Sequence, residues 1–439
     1  MTTPSMRDRG ALLFCIVLAF VVVGLHVNKY PLLSPIDELQ HLDYVYKAPS
    51  GHVVALGERI GQDALRDEVC RGIDAPIALP ACDTPAPLDP AVFQERGYNT
   101  AYVHPPPYYF VTGVLAKVVK GVTGVDSTLT AARAVGALWL SAALWLVWRL
   151  LVHRRASPLT QASLLSLLIV SPSVIFASAT TSPDASSLLA GAAMLAAVLL
   201  WEDDVVPAWA VALAVAFTLL LKFTHIGAIG LVLVYFAARA LQQAPLASWR
   251  SDAVYRRYGR VAALVLGSAF AMLLMWTVVQ KVVAIAPSSE IDMTTALYTD
   301  SFPVAQVFEN VDATFSPLRT PYIAPVLRNQ YVIGLNHMLD VSVMLAVASV
   351  AVFASVRSRE RALAVATAVA MLSLGPVTVM LNYINSSAVT SIPSRYGLPI
   401  VPAALVCAVP AMDRSLVRRS VGVFAAVAVF LVVQRLVRV

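Results

Sequence analysis

Directly after the first long apolar run, the stretch Leu33-Ser34-Pro35-Ile36-Asp37-Glu38-Leu39-Gln40-His41 sets two adjacent carboxylates and a histidine. Pro35 can open a helix in which Asp37 and His41, four residues apart, share one side. A carboxyl near a low-dielectric boundary holds its proton more tightly, which is how it becomes a usable general base. An acidic helix start favoured by the helix dipole fits the same residues. A second stretch, Tyr98 to Tyr109, carries His104-Pro105-Pro106-Pro107-Tyr108-Tyr109. Its prolines fix an extended entry and its aromatic rings suit the headgroup level of a bilayer. His104 and Tyr108 are therefore either substrate-site candidates or parts of that entry.

Three further features follow. Thr180-Thr181-Ser182-Pro183-Asp184 places a carboxylate at a helix start, as a substrate-site candidate or as a plain N-cap. Lys222 follows an apolar run and either snorkels to the interface or offers a point charge to a phosphate. Ser394-Arg395-Tyr396-Gly397-Leu398-Pro399 puts an arginine where its guanidinium could hold a phosphate with two parallel hydrogen bonds or pair with an acidic loop residue.

The elements that must position these residues are set by composition. Of 439 residues, 58% are hydrophobic and 13% charged, against roughly 25% charged in soluble domains. Apolar runs of about 20 residues, the length a bilayer core requires, recur along the chain. This is the signature of an all-α polytopic membrane protein. It excludes nucleic-acid binding, collagen-like, disordered and soluble-enzyme classes. The formal charge of +6 comes from arginine and lysine gathered between apolar runs, as the positive-inside rule expects of cytoplasmic loops.

By that rule the N-terminus is cytoplasmic and eleven spans follow, beginning with Gly10–Val27 as an uncleaved first helix. The rest are Thr128–Val152, Leu159–Ala179, Asp184–Trp201, Val205–Leu221, His225–Leu241, Val261–Ala284, Asn336–Ser355, Ala362–Leu381, Tyr396–Ala411 and Ser420–Val433. Pro105–Val122 reads as an amphipathic helix lying in the interface, which sends the His153, Arg154 and Arg155 cluster to the cytoplasm. Residues 28–127 form a first extracytoplasmic loop with interfacial helices, and 285–335 a second. The first is acidic: its 28–105 segment holds 11 acidic and six basic residues. Cys70 and Cys82 share that loop, and in an oxidising compartment a disulfide is the natural reading. Cys15 and Cys407 sit within apolar runs.

With this topology Asp37, Glu38, His104, Asp184, Lys222 and Arg395 converge on the outer membrane face. That convergence suits a lipid phosphate whose head group protrudes there. The motifs resemble the GT-C superfamily of integral-membrane glycosyltransferases, and most closely a bacterial family of membrane proteins of unknown function. The likeness is carried by Pro35-x-Asp37-Glu38-x-x-His41, by His104-Pro105-Pro106-x-Tyr108-Tyr109, by Pro183-Asp184, and by Arg395-Tyr396-x-x-Pro399. They occur in the family's order over most of the chain. Residues 1–439 read as a single GT-C-like transmembrane domain, without the large soluble C-terminal region several members add. The Cys70/Cys82 pair is outside the family pattern.

The resemblance implies an enzyme of the EC 2.4 class in a bacterial plasma membrane. It would transfer a sugar from a polyprenyl phosphate to a glycan or lipid acceptor of the cell envelope. It implies Asp37 as the catalytic carboxylate with Glu38 supporting or sharing its role, while Lys222, Arg395 and Tyr396 stand at the donor phosphate. No metal is assigned; Asp37, Glu38, His41 and His104 could ligate a divalent cation, though no spacing demands one. The alternative is a transporter or flippase for a lipid-linked or polar solute. Carriers place charges near mid-bilayer, whereas here ionisable residues map to helix ends. Arg133 and Asp340 are the nearest exceptions.

Overall fold

The computed structural model describes residues 3–85, 87–286, 297–318, 330–389 and 392–438. Parts of the predicted second outer loop, 287–296 and 319–329, lie outside the described residues. Among the described residues sixteen α-helices run in order: α1 Met6–Lys29, α2 Glu38–Lys47, α3 Gln62–Arg71, α4 Pro107–Thr123, α5 Thr128–His153, α6 Pro158–Ile169, α7 Pro172–Ala179, α8 Ser187–Glu202, α9 Ala208–Leu221, α10 Ile226–Gln243, α11 Ala253–Val283, α12 Val304–Phe315, α13 Gln330–Phe353, α14 Arg359–Ser386, α15 Val401–Ala408 and α16 Ser415–Val437. One two-residue antiparallel pair, β1 Leu297–Tyr298 with β2 Ala388–Val389, accompanies them.

Local chemistry sets the helix ends. Ser5 and Asp8 close a reciprocal capping box on α1, and Ser127, Ser157 and Ser358 accept the free amides that open α5, α6 and α14. Proline occupies the first helical position of α4, α6 and α7, where no amide donor is needed.

Among the described residues nine helical segments are long and apolar enough to cross a membrane, or ten if the bent pair α6–α7 counts as one span. The protein is therefore a multi-pass membrane protein. Two expected spans differ from the sequence reading. Leu159–Ala179 is not one straight helix but bends by 66° between α6 and α7. Pro172 supplies no amide to the turn before it, and Ser171 ahead of it is extended. Val205–Leu221 yields only the 14-residue α9, about 21 Å long at 1.5 Å per residue and short of a 30 Å hydrocarbon core. Helix α4 also falls outside the span-length set, and its Tyr108, Tyr109, Thr112, Gly113 and Ala116 face is buried.

Burial sorts the spans into centre and rim. The Pro183–Glu202 and Ser394–Asp413 windows are each 78% buried, whereas those in Ala253–Val283 and Ser415–Val437 are 22% buried. The first two form the bundle centre and the last two expose residues such as Phe270 and Phe430. At that centre Gly191 of α8 packs so closely on the 394–400 turn that an added Cβ would lie 1.9 Å from the Pro399 carbonyl oxygen. Gly136 of α5 meets the Ser178 carbonyl in the same way. Side chains are excluded at both contacts, so the two helices carry the turns that follow α7 and precede α15 in fixed registry.

The polar segment between α1 and α5 folds over one end of this bundle. Tyr44, Tyr108 and Tyr109 seal it against α5 and α8, while Leu33, Leu65 and Phe93 form a small core within it. Cys70 and Cys82 are joined by a disulfide there.

Candidate active site

Asp184 is the centre of the site. Its Oδ1 accepts from Lys222 Nζ at 2.5 Å and its Oδ2 from Arg395 Nε at 2.7 Å. All three are buried, at 2%, 2% and 5% exposure. The plain N-cap reading of Asp184 does not hold, because the cap is Ser182, whose Oγ accepts from the Asp184 amide. Nor does Lys222 snorkel: it closes α9 in extended backbone and its head group is turned inward over the Tyr396 ring, 4.7 Å from the centroid. Arg395 sits over the Phe176 ring, 5.5 Å from its centroid. Both cations expected at a donor phosphate are thus already paired to one carboxylate. Two positive charges against one leave a single positive charge for a further anionic group to balance.

Asp37 supplies or withholds that balance. It precedes α2 with φ +56°, a left-handed conformation rare for a residue with a side chain, and its carboxylate caps no amide. The residue is exposed, yet desolvation by the protein around it pushes its pKa up, while Arg395 and Lys222 pull it down and Asp184 raises it. Asp37 is therefore the exposed acid beside the buried Asp184–Lys222–Arg395 triad, all three of whose charges act on it.

Two buried histidines, His41 and His104, stand within reach of the charges of Lys222 and Asp184. His41 donates its backbone amide to the Asp37 carbonyl at 3.0 Å, and its Nδ1 shares a 2.9 Å hydrogen bond with the Tyr109 hydroxyl. His104 stacks obliquely on His41 with ring centroids 5.9 Å apart, and its Nδ1 is buried without a partner. Burial pushes the His41 imidazole down to about 3 and that of His104 well below its ordinary value, so both rings are neutral at pH 7. Tyr108 is buried between Tyr109 and Trp139. Among the described residues no three His, Cys, Asp or Glu side chains come together in a way that could hold a metal ion.

Glu38, expected to share the work of Asp37, is fully occupied elsewhere. It is 1% exposed and accepts from Arg133 Nε and Nη2 at 2.8 and 2.6 Å, from the Thr181 amide at 2.8 Å and from the Ser34 amide at 2.7 Å. The adjacent carboxylates have opposite fates: at the left-handed turn of Asp37 one residue is left exposed and the next is buried in the bundle. Glu38 ties the Asp37 segment to the Thr181–Asp184 turn, which makes it a positioning residue. Its partner Arg133 was missed by motif reading, yet a signal existed: an arginine two turns into a 26-residue apolar helix requires a buried counter-charge. His225, held by Ser187 Oγ at 2.9 Å and the Thr218 carbonyl at 3.1 Å, was likewise not singled out.

Set against known proteins, the chain matches no protein-family model, no curated protein and no solved structure. Its likeness to the GT-C superfamily rests on the four motifs alone.

Proposed function

We propose that the protein is a membrane glycosyltransferase that moves a sugar from a polyprenyl-phosphate donor to a glycan or lipid acceptor of a bacterial cell envelope. The observation that carries this reading is an exposed Asp37, its pKa raised, beside a buried Asp184–Lys222–Arg395 triad left one positive charge in excess. In this mechanism Asp37 takes the proton of the acceptor hydroxyl as its oxygen attacks the anomeric carbon. The bond from that carbon to the phosphate oxygen breaks, and inversion results. The negative charge that develops on the departing polyprenyl phosphate is met by Lys222 and Arg395, preorganised by Asp184 and Tyr396. His41 and His104, both neutral, serve the sugar as hydrogen-bonding groups without added charge.

The topology that goes with this reading has eleven passages, counting α6–α7 and α9 as one each, with the N-terminus cytoplasmic and Asp37 with the triad on the outer face. Helix α4 lies along the interface. The oxidising compartment that a Cys70–Cys82 bond needs is consistent with that side. The deciding experiment uses purified protein in nanodiscs with radiolabelled polyprenyl-phosphate sugars, wild type against Asp37→Asn. Transfer or release of sugar that depends on Asp37 supports the reading; an Asp37→Asn variant with wild-type turnover overturns it.

A second reading, a transporter or flippase, is favoured by one observation. The break at α6–α7 resembles the discontinuous helices that carriers use around a substrate. Absence of turnover together with solute or lipid movement in sealed vesicles would put that reading in its place.

A further inference from the structure

A groove of about 420 Å³ lies between α6, α13, α15 and the first turns of α16. Its lining is apolar except for Ser342 and Ser349, whose hydroxyls donate to the Met338 and Ala346 carbonyls of their own helix. The lining therefore offers a ligand no free polar side chain, and hydrocarbon is what it can hold. Ala346 of α13 and Ala404 and Ala408 of α15 line it where larger side chains would close it. Leu345 on its rim is 64% exposed, so the groove opens sideways from the bundle. Leu318, whose carbonyl accepts from the Ser173 amide beside the α6–α7 break, marks its deep end. From Val417 to Phe424 it follows about 10 Å of α16, within the roughly 15 Å of half a hydrocarbon core. That depth takes an acyl chain from one leaflet.

Arginines stand at the other end. Met412 and Val417 line the groove on either side of Arg414, and Arg418 lies one helical turn before Val421. Arg418 is half-buried and Arg414 exposed, and among the described residues neither side chain has a hydrogen-bond or ion-pair partner. Lys29 donates to the Arg435 and Arg438 carbonyls, which sets α1 and α16 parallel, and Asp8 at the start of α1 accepts from Gln161 of α6. Arg414 and Arg418 thus share the end of the bundle where α5 closes. The arginines there are otherwise matched: Arg154 pairs with Glu360 at 3.1 Å, Arg239 with Glu202 at 2.6 Å and Arg257 with Asp204 at 2.8 Å. Beside the groove, residues 413–419 carry Arg414, Arg418 and Arg419 against the single acid Asp413. The unspent positive charge is at the mouth of the groove.

We propose that this groove binds an anionic phospholipid of the adjoining leaflet, with one acyl chain between α13 and α16 and the phosphate on Arg414 and Arg418. A guanidinium holds a phosphate with paired hydrogen bonds, and unbalanced positive charge favours a lipid of net negative charge over a zwitterion. The groove meets α6 before the α6–α7 break, whereas Asp184 follows α7 beyond it. The site is separate from the triad, and the proposal holds whether or not the protein transfers sugars.

The test is native mass spectrometry of the full chain released from detergent with dioleoyl phosphatidylglycerol or dioleoyl phosphatidylcholine. The two lipids share their acyl chains and differ in net charge. Wild type is expected to retain phosphatidylglycerol over phosphatidylcholine by about tenfold. The double variant Arg414→Gln/Arg418→Gln brings the two lipids to parity. Arg250→Gln/Arg256→Gln, which removes the same charge around the start of α11, leaves the preference in place. Ala346→Trp fills the groove with both arginines intact and lowers phosphatidylglycerol retention about tenfold. Ser342→Trp, on an exposed position of the same lining, does likewise and guards against misfolding of the first tryptophan variant. Equal retention of the two lipids by wild type overturns the proposal. A preference lost equally in both arginine pairs overturns it too, and assigns the attraction to the basic end as a whole. Retention unchanged by both tryptophans overturns it as well, since the acyl chain would then lie outside the groove.

Discussion

Arg395 Nε donates to Asp184 Oδ2 at 2.7 Å, joining residues 211 positions apart at the starts of the two most buried spans. The contact places the carboxylate that follows α7 and the arginine that precedes α15 in one unit. Lys222 completes it from the end of α9. Five consequences can be measured.

Replacing Asp37 separates chemistry from stability. The carboxylate makes no capping bond and the backbone is left-handed, a conformation asparagine adopts readily. Asp37→Asn is expected to fold at least as stably as wild type while losing about 10²–10⁴ in transfer rate, the contribution of a general base. Thermal unfolding in detergent and single-turnover sugar transfer, measured on one preparation, check both halves.

Asp184→Asn should behave in the opposite way. It leaves Lys222 and Arg395 buried side by side without a counter-charge, a change worth about 3–5 kcal/mol. The expected result is a large drop in apparent unfolding temperature, partly restored by adding Lys222→Met. A stable single variant would show that the triad is hydrated and its charges screened.

Glu38 and Arg133 form a positioning pair, and kinetics can tell that role from catalysis. Glu38→Gln removes the counter-charge of a buried guanidinium and should destabilise by about 3–5 kcal/mol. Turnover per folded molecule should fall far less than in Asp37→Asn. A kcat loss equal to that of Asp37→Asn, at undiminished stability, would return Glu38 to the catalytic role.

Gly191→Ala tests the registry between α8 and the Arg395 turn. The added methyl would meet the Pro399 carbonyl at 1.9 Å, and that backbone has little room to yield. Overpacking of this kind costs about 1–3 kcal/mol. Because Arg395 rides on the displaced turn, donor binding should weaken along with stability. Gly230, with nothing near its Cβ, is the control: Gly230→Ala should be silent in both assays.

Two carboxyls predict separate pH effects. Asp37 has its pKa raised above the ordinary 3.8, so activity is present above the raised value and lost as pH falls through it. The acidic limb of kcat should therefore lie above the limb of an unperturbed aspartate and vanish in Asp37→Asn. Glu68, fully buried in α3, has one oxygen bonded to Gln94 Nε2 at 2.9 Å and the other unpartnered. Burial, with a smaller push from Glu38, moves its pKa from 4.5 up to about 7. The folded state then holds the proton more tightly than the unfolded one. Stability attributable to Glu68 is full below pH 4.5, declines as pH rises through 7, and is absent above it. Glu68→Gln should remove this decline and stabilise the protein at pH 8 by roughly 1–3 kcal/mol. An unchanged pH dependence of unfolding would show that Glu68 is solvated.

The sequence by itself determined the class of protein and the ends of most helices. Apolar length, serine caps and proline at first helical positions are local properties, and local physics reads them directly. It also gathered Asp37, Glu38, His104, Asp184, Lys222 and Arg395 as polar punctuation at helix ends. Pairing is not a local property. That Asp184 takes both cations, that Glu38 pairs with Arg133, and that α6 and α7 meet at 66° depend on which helices become neighbours. Only the tertiary structure decided these. A buried charge is stable solely beside a partner brought from elsewhere in the chain, and adjacent residues on a strained turn can point to opposite sides of it.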